Sequence, residues 1–163
     1  MKFPSLLLAL IIPLLSAGCA KNQHPSDETL LQNFNVHEKE FDELLTMLRA
    51  DKKLERVDVG WTRPDNPASI GVAPERIKSY RELFKKLDIP RGFYAYHAPE
   101  RFSFIASASG LSIGGSGKGY AYLEDQPELV VASLDNYRSP TGRSFTAYRH
   151  IKGNWYLYYD YED

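Results

Sequence analysis

Apolar and polar positions divide the chain into three stretches with different periods. Phe3 to Leu15 is apolar almost without a break, interrupted only by Ser5 and bent by Pro4 and Pro13. From Leu30 onward the apolar residues recur every three or four positions, as Leu30, Phe34, His37 or Phe41, Leu44, Leu45 and Leu48. That spacing keeps them on one side of a helix. It predicts helix over about 28–54, either continuous or in two segments, because Asn33-Phe34-Asn35-Val36 is weak helix material. Ser26 or Asp27 supplies a cap, with acids in the first turn and Arg49, Lys52 and Lys53 at the far end. A further helix is predicted from Pro74, with Ile77, Tyr80, Leu83, Phe84 and Leu87 on its apolar side and Asp88-Ile89-Pro90 as its stop. Between the helices, Val57 to Val72 loses periodicity and reads as an ordered loop around Trp61, Pro64, Pro67 and Gly71.

After Pro90 the period shortens to two. Phe93 to Ala98 reads as a short aromatic strand, and Phe102, Phe104, Ala106 and Ala108 alternate with more polar positions. Gly110 to Gly119 reads as a glycine-rich connection, followed by a strand around Tyr120 and Tyr122. Leu129 to Leu134 is nearly continuous in apolar character and is the expected central strand. Phe145 to Ile151 and Trp155 to Tyr161 flank Lys152-Gly153-Asn154, a hairpin signal. In the last strand Trp155, Leu157, Tyr159 and Tyr161 share one face, and Tyr156, Tyr158 and Asp160 the other. The expected fold is α+β: two or three N-terminal helices packed on a five- or six-stranded antiparallel meander, one globular domain over 27–163.

The apolar run at the start follows a single basic residue, Lys2, and is too short for a helix of about 20 residues that spans a bilayer. Two small residues, Ala17 and Gly18, stand directly before Cys19, the only cysteine. Residues 1–19 resemble the lipobox signal peptide of bacterial lipoproteins, with Ser16 in the usual leucine position and Leu15 one step earlier. The resemblance implies that residues 1–18 are removed, that Cys19 carries the lipid, and that 19–26 form a tether. In that class an aspartate after the cysteine commonly retains the protein at the inner membrane. Ala20 therefore implies the outer membrane, facing the periplasm.

Removing residues 1–18 takes one lysine away and leaves 145 residues with 19 basic and 21 acidic side chains, a formal charge of −2. A chain so nearly neutral lacks the basic stripe needed to neutralise phosphates, so no nucleic-acid partner is expected. With no disulfide available inside the mature chain, packing must supply the stability. Eleven tyrosines, eight phenylalanines and two tryptophans provide large apolar area for it.

Tests for chemistry leave no reaction specified. Gly114-Gly115-Ser116-Gly117-Lys118-Gly119 places Ser112 where a phosphate loop needs its first glycine, and Gly119 where it needs a hydroxyl. Neither Ser109 nor Ser116 sits in a nucleophile elbow, and His97 and His150 read as sheet residues. The four histidines show no metal-ligand spacing, and Asp160, Glu162 and Asp163 read as a solvated acidic end. Neither metal nor cofactor is expected, and the balance lies against an enzyme.

Three function classes stay open. One is a lipid-anchored envelope protein that binds another protein, such as a periplasmic inhibitor or immunity protein acting by steric blockade. The others are a structural or assembly lipoprotein, and a hydrolase or small-ligand carrier with a scattered site. The first takes Trp61, Arg63, Lys118, Arg138 and Arg143 as exposed contact residues on loops.

Overall fold

The computed structural model describes residues 24–111 and 114–163. Three helices come from the helical-period stretch: α1 (Asp27–Val36), α2 (Glu38–Ala50) and α3 (Pro74–Lys86). The hydroxyl of Ser26 accepts from the Thr29 N–H at 3.2 Å and starts α1, with Asp27 and Glu28 in its first turn. His37 separates α1 from α2, so the weak Asn33–Val36 segment ends a helix. Pro74 occupies the first turn of α3, where its missing N–H costs no hydrogen bond. Among the described residues no helix is long and apolar enough to cross a membrane.

Seven strands form one sheet: β1 (Arg56–Val57), β2 (Thr62–Arg63), β3 (Phe93–His97), β4 (Glu100–Leu111), β5 (Gly114–Leu123), β6 (Phe145–Lys152) and β7 (Trp155–Glu162). The order is β2-β1-β3-β4-β5-β7-β6, with every neighbouring pair antiparallel. The three helices and this sheet make the fold α+β. The segment 57–72 contributes a small hairpin and a 3-10 turn at Pro67–Ile70, which raises the strand number above the expected five or six.

The sheet is not a continuous meander. After β5 the chain runs through 124–144 to the outer edge, forms β6, and returns through Lys152-Gly153-Asn154 to place β7 between β5 and β6. The expected central strand at 129–134 is absent. Only an isolated parallel bridge joins Val130 to Tyr148 on the edge strand. The physical reason lies in the segment's hydrogen bonds: the Leu134 N–H, which a ladder would need, points to the Asp27 carboxylate at 2.8 Å. Leu129, Val131 and Leu134 still pack on the core, so the apolar run reflects covering of the sheet edge.

The glycine-rich stretch is also strand, with β4 and β5 paired from Arg101–Leu123 to Leu111–Gly114 and a bulge between Ile105 and Ser107. A Cβ on Gly119 would lie 2.0 Å from the Phe104 carbonyl oxygen, so the bulge brings the two backbones too close for a side chain there. One sheet face packs under the helices. Phe41 is its hub, with ring centroids 4.6 Å from Tyr120, 4.9 Å from Phe34 and 5.5 Å from Trp155.

Candidate functional site

The outer sheet face, turned away from the helices, is partly covered. Ala121, Leu123, Tyr156 and Tyr158 form a second, smaller buried cluster with Tyr148 against it. Beyond this cluster the face opens into a trough of about 1000 Å³. Its floor contains Ala108, Gly110, Gly115 and Gly117, residues of alternate parity on β4 and β5 that put almost no side chain into the space. Arg56, Arg91, Tyr94 and Tyr96 stand at one side, and Tyr148, Tyr158, Asp160 and Glu162 at the other.

The first side is a built aromatic rim. Arg56 is buried, and its Nη2 donates to the Asp58 carboxylate at 2.7 Å and to the Arg91 carbonyl at 3.3 Å. Its Nε and Nη1 find no hydrogen-bond acceptor. The guanidinium carbon lies 3.5 Å from the ring centroid of Tyr94 and 5.0 Å from that of Trp61. The cation is thus held by one carboxylate and two aromatic faces. It in turn fixes two rings that remain open to solvent, Tyr94 at 42 % and Trp61 at 45 % exposure, beside Tyr96 at 68 %. Trp61 also borders a smaller cavity of about 470 Å³ near Pro67, Pro74 and Arg81.

The opposite side carries Asp160. Its carboxylate lies over β5, where a Cβ on Gly117 would meet Oδ1 at 2.6 Å. No side-chain donor among the described residues pairs with it. Burial, seconded by the charge of Glu162, pushes its carboxyl up to about 6.

The structure distributes the expected contact residues unequally. Trp61 belongs to the rim, while Arg63 is exposed on the neighbouring edge strand β2. Arg138 and Arg143 are exposed in the loop before β6, on the edge opposite Trp61, with Arg143 next to Ser144 at the trough's far end. Lys118 is not an exposed loop residue. It sits inside β5 at 2 % exposure and points to the helix side, with Nζ 2.8 Å from Asp27 and 2.6 Å from Asp135. Arg149 reaches the same Asp27 at 3.0 Å. Burial opposes ionisation of Asp27, but the Lys118 ammonium, the Leu134 N–H and Arg149 outweigh it and hold the carboxyl below its usual range. Such a network is structural. Cys19 lies outside the described residues.

His97 and His150 each donate from Nε2 to a backbone carbonyl, of Leu54 and Gly153 respectively. The histidine that does meet serines is His24, read from sequence as part of the tether. Its Nδ1 and Nε2 each lie 2.7 Å from a hydroxyl, of Ser107 and Ser116 respectively, and its ring meets Tyr159 edge-on. Burial lowers its pKa and the Lys118 charge lowers it further. In a Ser-His-Asp triad a carboxylate supports the imidazolium; here a cation opposes it, and both ring nitrogens are engaged. The arrangement works as a clasp that fastens the segment just before α1 to the sheet. Among the described residues no three histidine, cysteine or acidic side chains converge to hold a metal.

Arg56, Tyr94, Tyr96 and Asp160 escaped the sequence reading as a group because three strands bring them together. Asp160 alone carried a signal, as an acid interrupting the aromatic and apolar run from Trp155 to Tyr161. Comparison of the chain with protein-family models, with curated proteins and with solved structures returned no match.

Proposed function

We propose that this protein is a lipid-anchored envelope protein that binds another protein across the trough and its aromatic rim, an inhibitor or immunity protein acting by steric blockade. The observation that supports it best is the Trp61–Arg56–Tyr94 stack beside exposed Tyr96. Tryptophan, tyrosine and arginine held rigidly on a sheet lose little freedom on binding and have the usual content of interface hot spots. The trough offers glycine backbone, tyrosine rings and isolated charges, a set that suits recognition. Envelope location rests on the lipobox resemblance of Leu15 to Cys19. Under that resemblance the His24 clasp gives the anchor a short reach. Five residue steps separate His24 from Cys19 and span at most about 18 Å, so the domain acts close to the membrane surface.

Site-specific photo-crosslinking in intact cells tests this reading. A crosslinker at Tyr96 yields one discrete protein adduct, and the same group at Lys78, exposed on the outer side of α3, yields none. Identical adduct patterns from both positions, or none from Tyr96, would rule the reading out.

A further inference from the structure

Asp160 is placed against the interest of stability. It is an acid in a half-buried position among tyrosines, with no partner side chain among the described residues, within a run from Trp155 to Tyr161 whose other residues are aromatic or apolar. Its neighbour across the sheet is Gly117, whose missing side chain leaves room for the carboxylate to lie flat. On the other flank β6 contributes Thr146, directly opposite Asp160, and Tyr148. Glu162 stands two residues further along the same face and adds negative charge.

A carboxylate so placed attracts a cation, and its surroundings select the kind. Gly110 and Gly115, paired across β4 and β5, leave a flat path toward the carboxylate for an aliphatic stem, which lysine and arginine both bury readily. Tyr148, partly exposed, lines the same end and brings an aromatic ring near a cation seated there. Hydrated metal ions need several oxygen ligands, and no such group converges among the described residues.

We propose that the Asp160 end of the trough seats one arginine or lysine side chain of the protein partner, its stem along Gly110 and Gly115 and its charge against the Asp160 carboxylate that lies over Gly117. The seat rests on the protein-binding reading and names the chemistry of the partner at one point. Arginine suits it better than lysine, because a planar guanidinium both pairs with a carboxylate and stacks on tyrosine.

The test uses the full chain in detergent micelles, labelled with ¹⁵N, titrated with N-acetyl-arginine methylamide and with the citrulline analogue, its neutral isostere. The arginine compound gives saturable shifts at Gly115, Gly117, Thr146 and Asp160. Citrulline binds at least about 10-fold more weakly, the ratio expected when a charge-assisted hydrogen bond is lost, and Asp160→Asn removes the difference. Equal response to both compounds, shifts spread over the surface, or an unchanged Asp160→Asn titration overturns the seat. Saturation by muropeptide sugars with none by the arginine compound overturns it as well, in favour of a glycan. The amide titration needs no protein partner, so its result stands apart from the crosslinking at Tyr96. Adducts from Tyr96 without an arginine response reject the seat and leave protein binding intact.

Discussion

The carboxylate of Asp160 lies over the backbone of Gly117 on the adjacent strand, in space that a methyl group on Gly117 would occupy to within 2.6 Å of its oxygen. Gly119, two residues on, faces an immovable neighbour: its added methyl would meet the Phe104 carbonyl at 2.0 Å. The two glycines therefore answer differently to the same substitution. Gly117→Ala displaces a flexible side chain and keeps the domain folded, while Gly119→Ala forces backbone apart and destabilises it by about 1–3 kcal/mol. Urea denaturation of the pair checks this, and equal midpoints would contradict it.

Asp160 also predicts a pH dependence. Its carboxyl titrates at about 6 in the folded chain against an ordinary value of 3.8, so the folded state holds an extra proton between the two. Stability from this group is present below the unfolded value and is lost as pH rises through the folded one. Asp160→Asn removes the loss, leaving the variant about 1–2 kcal/mol more stable than the parent at pH 7, after allowance for partial solvent access. It matches the parent at pH values below the unfolded pKa. Thermal melts at both ends of the range decide it; a variant less stable at pH 7 would contradict the burial account.

Lys118 holds two carboxylates on the helix side, one of them fully buried. Lys118→Met leaves Asp27 Oδ1 buried without its cation, while Arg149 and the Leu134 N–H still hold Oδ2, and costs about 1–3 kcal/mol. Alanine at exposed Arg63 or Arg138 changes stability by less than about 0.5 kcal/mol. The depressed pKa of Asp27 adds a second signature. The stability it contributes is present above its unfolded value of 3.8 and falls away as pH drops through the lower folded value. A Lys118→Met variant as stable as the parent would dismiss the network.

His24 should titrate below 6.5, because burial and the Lys118 charge both favour the neutral ring. Folded pKa below unfolded pKa means that the clasp is complete above 6.5 and weakens as the solution is acidified past it. NMR of the imidazole measures the midpoint directly, and a value above 6.5 would mean that the ring is not held as described.

Helix positions were legible because each face buries a regular stripe: Phe34, Phe41 and Leu48 are all in the core, as are Ile77, Tyr80 and Phe84. The Lys152–Asn154 hairpin was legible through turn chemistry, with Gly153 at φ 55°. The swap of β7 inside β6 was not, since strand order depends on contacts distant in sequence. Lys118 misled because glycines on both sides resemble a flexible tip, whereas here they allow a bulge and a flat floor. Its partners, Asp27 and Asp135, are 91 and 17 residues away, beyond any local pattern. The trough was illegible for the same reason: Arg56, Tyr94 and Asp160 line one space only once β1, β3 and β7 take their places in the sheet.

Under the proposed reading, the rim of the trough recognises a protein partner. The most direct test of that recognition is the dissociation constant of the purified crosslinked partner for the full chain and its variants. Tyr96→Ala and Trp61→Ala should each weaken binding by about 1–3 kcal/mol with the melting temperature unchanged, and Lys78→Ala on the helix side should leave affinity unaltered. Unchanged affinity in both rim variants, or an equal loss at Lys78, would place the interface elsewhere and contradict the account.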